Sequence, residues 1–377
     1  MKRGAMARRR YSKPKHWKHL YWIIPLLVAD VFLFRWLLKR PDRVPPAEAF
    51  EESMIIPKRP SPFERMAFPT AQDRLLDPEA AGVFQPTASG NPVSALYGST
   101  RTAERGGSLM PTFHEGIDIA AMRRDHRGRP LDEIRAVADG RIAYINRHAG
   151  NSNYGIYVVL EHEEPALGNV FTLYAHLDRL EHGLRVGQPV NAGQVLGIMG
   201  NTSSSPIPMV RAHLHLEVGT ILNARFDVWY RANKLKPNHG NYHGWNLFGV
   251  DPLPVFAQSR SEPEFNFREH LRRITPAFEV VFRSSQQPDY FNRYPALWED
   301  GAYAGRAVTV TVSEGGVPLR GRNATEEEVG LLGRHPAVVK HVDESVLGRN
   351  GARLITRAGG QWKLAKQGER WLELITY

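Results

Sequence analysis

The 377-residue chain contains no cysteine, so it forms no disulfide bonds. This absence fits a protein that works in an oxidising compartment without disulfides, but many cytosolic proteins also lack cysteine. The location of the protein therefore has to be inferred from other features of the sequence.

Acidic residues are missing from the start of the chain, where the first of them is Asp30. The same stretch carries eight Lys and Arg residues up to Lys18, and these account for most of the formal net charge of +10. A surplus of positive charge over a folded domain is typical of nucleic-acid binding, but the body of this chain has almost none. We therefore predict no nucleic-acid partner.

Residues 20–38, LYWIIPLLVADVFLFRWLL, form a mostly apolar run. At roughly 1.5 Å per residue, a helix of this length just crosses a ~30 Å hydrocarbon layer. Aromatic residues near both ends suit the membrane interface, whereas Asp30 and Arg35 interrupt the run at a cost. A buried or surface helix and a cleaved signal peptide are the alternatives, but no small-residue cleavage site follows Leu38. The run predicts a transmembrane helix.

The charges on either side of this run predict its orientation. Eight positive charges precede it, and only Lys39, Arg40 and Arg43 follow closely. By the positive-inside rule, residues 1–19 are a basic cytoplasmic tail and the chain beyond residue 40 lies outside the cytoplasm.

Residues 39–91 are rich in proline and polar residues and show no sustained apolar period. Such a composition predicts a mostly extended tether that spaces the body of the protein from the membrane.

The chain is long for one domain, so two folded units are expected. From Pro92, short β-branched or aromatic runs such as GRIAYI, YGIYVVLEH and VFTLYAHL alternate with Gly, Asn and Pro. This spacing predicts a mainly β domain at residues 92–257, built on an antiparallel sheet or sandwich.

The segment AQSRSEPEFNF, which begins at Ala257, is predicted to be a linker, and a small α+β accessory domain is predicted at residues 265–377. REHLRRI and residues 325–335 predict helices, the second because Thr325 and Glu328 have capping-box spacing. AVTVTVSEGGVPL, ARLITRAGGQWKLA and RWLELITY predict strands with Gly-Gly turns. No catalytic constellation occurs in this part of the sequence.

Five side chains in three short motifs point to chemistry. HEGID contains His114 and Asp118, LYAHL contains His176, and HLH contains His213 and His215. Residues two apart in a strand project from the same face, so both rings of HLH face one space. His114 and Asp118 are four apart, which is same-side spacing in a strand or a helix.

This set of side chains suits a metal site with extra catalytic groups. Imidazole nitrogens and carboxylate oxygens are ordinary zinc ligands, and a catalytic zinc usually keeps three protein ligands plus water. Four histidines and one aspartate exceed that need, which suggests that two histidines handle protons or stabilise charge. Any one of these histidines alone would more often be structural, but their joint occurrence favours the site. Spacing leaves open which HLH histidine binds the metal.

These motifs resemble those of the lysostaphin-type (LytM-like) zinc metalloendopeptidases, which cut the peptide part of bacterial peptidoglycan. The resemblance covers residues 92 to about 256. It runs from PVSALYGST through HEGIDIAA, IRAVADGRI, NYGIYVVLEH, FTLYAHL and GLRVGQPVNAGQVLGIMGNT to HLHLEV and VDP. The order and spacing of these motifs make the match highly specific, and the resemblance implies a LytM-like antiparallel β fold.

The resemblance also implies roles for the five residues. It implies one zinc ion per chain, bound by His114, Asp118 and His215, and a catalytic pair formed by His176 and His213. The implied reaction is metal-assisted hydrolysis, in which one histidine of the pair takes a proton from water and both stabilise the oxyanion. Which histidine does which stays open.

The partners implied by this resemblance are stem or bridge peptides of peptidoglycan and, through residues 20–38, the bacterial cytoplasmic membrane. The catalytic domain would then lie in the periplasm or otherwise outside the cytoplasm.

Three segments depart from the family pattern. SSSPIPMVRA at residues 203–212 replaces the usual turn before the histidines, MRRDHRGRPLDE enlarges a polar loop at 122–133, and an aromatic-rich insertion occupies 224–249. The insertion could hold glycan or peptide, or its aromatic residues could fold on one another. We expect all three segments to border the groove and to influence substrate preference.

Two functions of different classes are consistent with these features. One is a membrane-anchored zinc endopeptidase that remodels the cell wall, and the other is a non-catalytic scaffold or regulator that recruits or activates another cell-wall hydrolase. Inert members of the family usually lack some of the five residues, whereas all five are present here, which favours the enzyme. A lipoyl-like carrier is not favoured, because the turn in GQPVNAGQVLGIMG has no modifiable lysine.

Overall fold

The computed structural model describes residues 59–77, 80–105, 108–165, 167–347 and 354–377. The predicted basic tail and the predicted transmembrane helix at residues 20–38 lie outside these ranges. Within them, none of the helices has both the length and the apolar character that a membrane span requires. The membrane anchor therefore stays a prediction.

Residues Arg59–Tyr377 form one compact unit that is mainly antiparallel β with few helices, as the sequence predicts for its peptidase-like part. The division of this unit into domains at 92–257 and 265–377 stays a prediction. The strands are β1 Thr100–Arg105, β2 Ser108–Phe113, β3 Ile117–Ala120, β4 Glu133–Arg135, β5 Gly140–Asn146, β6 Ile156–Glu164, β7 Gly168–Leu180, β8 Pro189–Val190, β9 Val195–Met199, β10 His213–Ile221, β11 Leu247–Val250, β12 Phe278–Arg283, β13 Ala307–Val312, β14 Pro318–Asn323, β15 Ala337–Lys340, β16 Ile355–Ala358 and β17 Gln361–Leu364. The α-helices are α1 Phe226–Ala232, α2 Pro252–Ser261, α3 Phe267–Arg273, α4 Asp289–Arg293, α5 Glu326–Leu332, α6 Glu344–Leu347 and α7 Lys366–Thr376.

A nine-stranded sheet carries the predicted site. Its main path runs β11-β10-β7-β6-β5-β8, while β3 pairs with β10, and β9 pairs with both β4 and β7. Strand β10 is central, because β7 lies on one side of it and β3 and β11 lie on the other. This register places His215 opposite both Asp118 of β3 and Ala175 of β7.

The two faces of β10 differ as the period of two in its sequence predicts. Leu214, Leu216 and Val218 alternate on one face and pack into the main hydrophobic core. His213 and His215 lie on the other face, and every residue of the strand is buried. The apolar face therefore anchors the strand and holds the two imidazoles rigidly in place.

Residues 59–91 differ from the predicted tether, because they pack against the sheet. Phe63, Met66, Leu75 and Val83 are all at least 95% buried within the main core. Main-chain hydrogen bonds add to this packing, including one of 2.8 Å from the Ala67 N–H to the carbonyl of Val137. These apolar residues follow no helical or strand period, and each fills a separate gap, so the pattern alone gave no sign of burial.

The C-terminal residues form a four-stranded sheet, β14-β13-β12-β15, and a separate hairpin of β16 and β17. Helix α3 and helix α5, with its capping box from Thr325 and Glu328, confirm two of the predicted elements. Gly359 and Gly360, both at positive φ, confirm the predicted Gly-Gly turn of the β16–β17 hairpin.

Two predictions for this part of the chain are wrong. RWLELITY belongs to helix α7, because its buried residues Trp371, Leu374 and Ile375 follow the 3.6-residue period rather than strict alternation. The first five residues of the predicted linker, 257–261, belong instead to helix α2, which follows the N-cap Asp251 and buries Phe256 in the core.

A pH effect on stability is expected from His162, whose ring is fully buried on strand β6. Its Nδ1–H donates to the carbonyl of Asp139 at 2.7 Å, and its Nε2 lies 2.8 Å from the hydroxyl of Thr172. Burial lowers the pKa of His162 to about 4, whereas an unfolded histidine titrates near 6.5. Because the unfolded chain takes up the proton first, the free energy of unfolding should fall as pH drops from about 6.5 to 4, by up to about 3 kcal/mol.

Urea unfolding of the His162→Gln variant between pH 4 and 7.5 checks this expectation. The variant should show a shallower fall in stability than the wild type. His182→Gln, at an exposed position, is the matched control and should keep the wild-type slope. An unchanged slope in His162→Gln would contradict the expectation.

Candidate functional site

The structure brings together all five residues singled out by the sequence. Asp118 lies on β3, His176 on β7, and His213 and His215 on β10, while His114 precedes β3 in the chain. All five are at least 92% buried. The ring centroids of His176 and His213 are 4.8 Å apart, so the two predicted catalytic rings are neighbours.

Three of these residues converge on one point. The Nε2 of His114 is 3.1 Å from the Oδ1 of Asp118, and the Nδ1 of His215 is 2.9 Å from the same oxygen. The two nitrogens are 3.0 Å apart. His114, Asp118 and His215 are thus a group that could hold a metal ion, with one ligand atom from each.

Hydrogen bonds on the side away from Asp118 determine which ring nitrogen of His114 and of His215 carries the proton. The Nδ1 of His114 is 2.9 Å from the carbonyl of Leu96, and the Nε2 of His215 is 2.9 Å from the Oε1 of Glu217. A carbonyl and a carboxylate only accept, so these two nitrogens donate. The nitrogens that face Asp118 consequently present lone pairs, and three electron-pair donors meet without a hydrogen between them.

Such a cluster requires a positive charge at its centre, either a metal ion or an added proton. Burial disfavours the ionised carboxyl, but the imidazoles of His114 and His213 outweigh this and hold the pKa of Asp118 well below its usual range. Burial likewise opposes the charge on His215, but hydrogen bonds to Asp118 and Glu217 raise its pKa to about 9. Two imidazole nitrogens and one carboxylate oxygen are the donor set of a zinc site with an open position, so the residues fit this metal.

Glu217 is a site residue to which the sequence analysis gave no role. It is fully buried, and its Oε1 accepts hydrogen bonds from the Nε2 of His215 and, at 2.7 Å, from the hydroxyl of Tyr154. The sequence could have indicated a role for Glu217 through its spacing, because Glu217 is two residues after His215 and projects from the same face of β10. The contact with Tyr154 had no signal in the sequence.

Replacing Glu217 by glutamine is expected to weaken metal binding by about 10- to 100-fold, because the carboxylate fixes the tautomer and orientation of His215. Competition with a chromophoric chelator measures this affinity. Glu181→Gln, at an exposed position outside the cluster, is the control and should bind metal like the wild type. An unchanged affinity in a folded Glu217→Gln protein would show that this contact does not position the ring.

The main chain holds His176 in an uncommon conformation. Its φ of 63° lies in the left-handed region, which costs a residue other than glycine roughly 1–3 kcal/mol. The N–H of His176 donates to the carbonyl of Tyr154, and its Nδ1–H donates to the carbonyl of Thr202 at 2.8 Å. These bonds maintain the conformation and leave Nε2 as the nitrogen with a lone pair.

The two neighbouring rings differ in their surroundings. Burial, together with the nearby rings of His213 and His215, lowers the pKa of His176 well below its usual range, so this ring is neutral near pH 7. His213 donates its Nδ1–H to the carbonyl of Arg211 at 2.7 Å, and its Nε2 is 3.5 Å from the Oδ1 of Asp118. His176 can therefore accept a proton at Nε2, and His213 can hold one beside a carboxylate.

Two of the three segments that depart from the family pattern, residues 122–133 and residues 203–212, contact each other beside the rings of His176 and His213. The guanidinium of Arg124, in the enlarged polar loop, donates to the carbonyls of Met209, Val210 and Ala212. The approach to the HLH motif is thus fixed by the polar loop.

The aromatic insertion at residues 224–249 folds largely on itself. Phe226, Trp229 and Tyr230 of helix α1 are buried, and the ring of His243 packs on Phe226 and Tyr230. Trp245 is 36% exposed and is covered on one face by the guanidinium of Arg370. Of the two alternatives for this insertion, the structure favours internal packing.

Comparison with known proteins gives one family match. The family model for peptidase family M23 matches residues 112–226, a segment that contains all five site residues. No curated protein matches the chain at a significant level.

Several solved structures are similar to part of the chain. The catalytic domain of the antimicrobial peptidase lysostaphin from Staphylococcus simulans is 21% identical over 43% of this chain and 89% of that domain, with a TM-score of 0.27. A mutant catalytic domain of the prophage-encoded M23 protein EnpA from Enterococcus faecalis is 22% identical over 37% of this chain and 88% of that one, with a TM-score of 0.23. A zinc-containing peptidase from Vibrio cholerae is 24% identical over 37% of this chain and 41% of that one, with a TM-score of 0.21. This chain thus spans less than half of the Vibrio cholerae peptidase.

Proposed function

We propose that this chain, whose residues 112–226 match peptidase family M23, is a zinc metalloendopeptidase that hydrolyses peptide bonds of bacterial peptidoglycan. The observation that carries the proposal is the convergence of three lone-pair atoms, His114 Nε2, Asp118 Oδ1 and His215 Nδ1, at the centre of a buried histidine cluster. One zinc ion per chain would be held by these three residues. The family match supports the peptidase class, and the donor set supports the metal.

The side chains around this centre have distinct tasks in the proposed reaction. A bound zinc ion supplies Lewis acidity and lowers the pKa of water toward about 7. His176, which is neutral and keeps its lone pair at Nε2, accepts the proton of the attacking water and then passes it to the nitrogen of the leaving amine. His213 holds a proton at Nε2, where the carboxylate of Asp118 stabilises the positive charge, and donates it toward the developing oxyanion. The carbonyls of Thr202 and Arg211 fix the orientation of these two rings.

The proposed location is the outer side of the bacterial cytoplasmic membrane. Residues 20–38 would anchor the chain there with its N-terminus inside, which the charge asymmetry around this run supports. The catalytic residues would then reach the cell wall from the membrane surface.

Incubation of the full-length, zinc-loaded protein with purified peptidoglycan tests the proposal, with mass spectrometry of the released muropeptides as the readout. New fragments that arise from peptide-bond hydrolysis are the expected result, and the His215→Ala protein should release none. A folded, zinc-containing protein that releases no fragment would contradict the proposal and favour the non-catalytic scaffold.

A further inference from the structure

A polar cleft of about 1130 Å³ lies beside the histidine cluster. Its walls come from three parts of the chain, namely residues 87–100, Arg211 and several residues between 274 and 346. Uncharged hydrogen-bonding side chains dominate the lining, among them Thr87, Ser89, Asn91, Ser99, Thr275 and Ser345, and the described lining residues also include two charged side chains, Arg211 and Glu314. The volume is sufficient for a peptide of several residues.

Most of this cleft lies outside the segment that the family model matches. Among the described residues that line the cleft, Arg211 alone falls within residues 112–226. One wall consists of C-terminal residues such as Thr275 and Ser345, which belong to the part of the chain that has no assigned role. That part therefore contributes to the surroundings of the site.

Arg211 has a charge without a partner. Its side chain is half-buried, yet within the described ranges its guanidinium makes neither a hydrogen bond nor an ion pair. By contrast, Arg124 in the neighbouring loop uses its guanidinium on four main-chain carbonyls. A half-buried guanidinium that keeps its donors available in a cleft is suited to bind an anion.

The position of Arg211 is fixed from both sides. It ends the 3₁₀ turn Met209–Arg211, whose carbonyls are held by Arg124. The carbonyl of Arg211 itself accepts the Nδ1–H of His213 at 2.7 Å. The anchored main chain of Arg211 therefore keeps its guanidinium in the vicinity of the His213 ring.

The side chains that line the cleft suit the peptide part of peptidoglycan better than its sugars. The guanidinium fork matches a carboxylate in a bidentate arrangement, and neutral hydroxyl and amide groups suit the amides of an extended peptide. Tyr97 is the single aromatic side chain among the described lining residues, and its hydroxyl is bonded to the carbonyl of Gly249, so this part of the cleft offers little surface for stacking on sugars.

We infer that Arg211 binds a free carboxylate of the peptidoglycan stem peptide, and that the cleft between residues 87–100 and the C-terminal residues receives this peptide. The identity of the peptide rests on the proposed function. Arg211 is thus a specificity-determining residue for that reaction, and the C-terminal part of the chain forms one wall of the substrate site.

Calorimetric titration of the full-length protein with an uncross-linked stem peptide tests the inference. The same peptide with its carboxylates converted to carboxamides is the matched ligand. The wild type should bind the carboxylate form roughly tenfold or more tightly than the carboxamide form, and Arg211→Gln should bind both as weakly as the wild type binds the carboxamide. Arg127→Gln, an exposed arginine outside the cleft, should behave like the wild type.

A second variant examines the C-terminal wall without changing the charge. Thr275 is exposed, so Thr275→Trp should fold normally while its ring fills part of the cleft. We expect weaker binding of the carboxylate peptide and, with a cross-linked muropeptide as substrate, a higher KM with kcat within about twofold of the wild type.

The outcomes separate this inference from the proposed function. Equal binding of the two peptides by the wild type, undetectable binding, or wild-type affinity in Arg211→Gln would overturn the inference, even if the protein cuts peptidoglycan. Binding that depends on both Arg211 and the carboxylate would support it, even if no wall fragment is released and the peptidase proposal fails.

Discussion

A His215→Ala protein is expected to lose its metal ion and to release no muropeptides above background. His215 supplies one of three converging donor atoms, and its loss leaves Asp118 and His114 as a two-point site. Because the proposed reaction depends on a Lewis acid, loss of the metal should remove essentially all turnover rather than a fraction of it. Elemental analysis of the purified protein and mass spectrometry of digested peptidoglycan measure the two effects.

The control for this experiment is His126→Ala, since His126 is exposed in the enlarged polar loop and has no part in the cluster. It should keep both metal and activity. Retention of stoichiometric zinc by His215→Ala would refute the proposed ligand set, and retention of activity without zinc would refute a metal-dependent reaction.

A His176→Ala protein is expected to keep its zinc and to lose roughly 10²- to 10⁴-fold in kcat, which is the usual range for loss of a general acid or base. His176 is not among the converging ligand atoms, so metal content and KM should change little. The same separation is expected for His213→Ala. Steady-state kinetics on a cross-linked muropeptide, with the zinc content measured in parallel, separate the effect on kcat from the effects on KM and on metal binding.

A variant in which both His176 and His213 are replaced by alanine tests whether the two rings act in the same step. If His176 and His213 act on one proton-transfer step, removing both should cost little more than removing the more damaging one. Independent losses that multiply would indicate separate tasks in separate steps. A His176→Ala protein with near wild-type kcat would exclude the proposed role for this ring.

Part of this site could be predicted from the sequence because a strand has a fixed period. The two rings of HLH share one face of β10 as that period requires, and the leucines between and after them anchor the opposite face. His215 on β10 lies opposite Asp118 on the neighbouring strand β3. This pairing depends on the register between two segments that are far apart in the sequence, and the spacing of residues within one motif gives no information about that register. That assignment came from the resemblance to a family.

Other features of the structure cannot be predicted from the sequence immediately around them. The positive φ of His176 is maintained by contacts with Tyr154 and Thr202, which are remote in the chain, and no property of LYAHL requires it. Residues 59–91 look like a tether because their polar and proline-rich composition hides four separate anchoring residues. The sequence of helix α7 also predicts a strand, because a short apolar run fits both periods and only the burial of its residues distinguishes them.

The turn that contains Tyr154 supports two different parts of the site at once. Its carbonyl receives the N–H of His176, and its hydroxyl bonds the carboxylate of Glu217, which in turn orients His215. Gly155 follows at a φ of 64° and lies against Thr202, whose carbonyl orients the His176 ring. A displacement of this one turn would therefore disturb the main chain of His176 and the Glu217 contact that orients His215 at the same time.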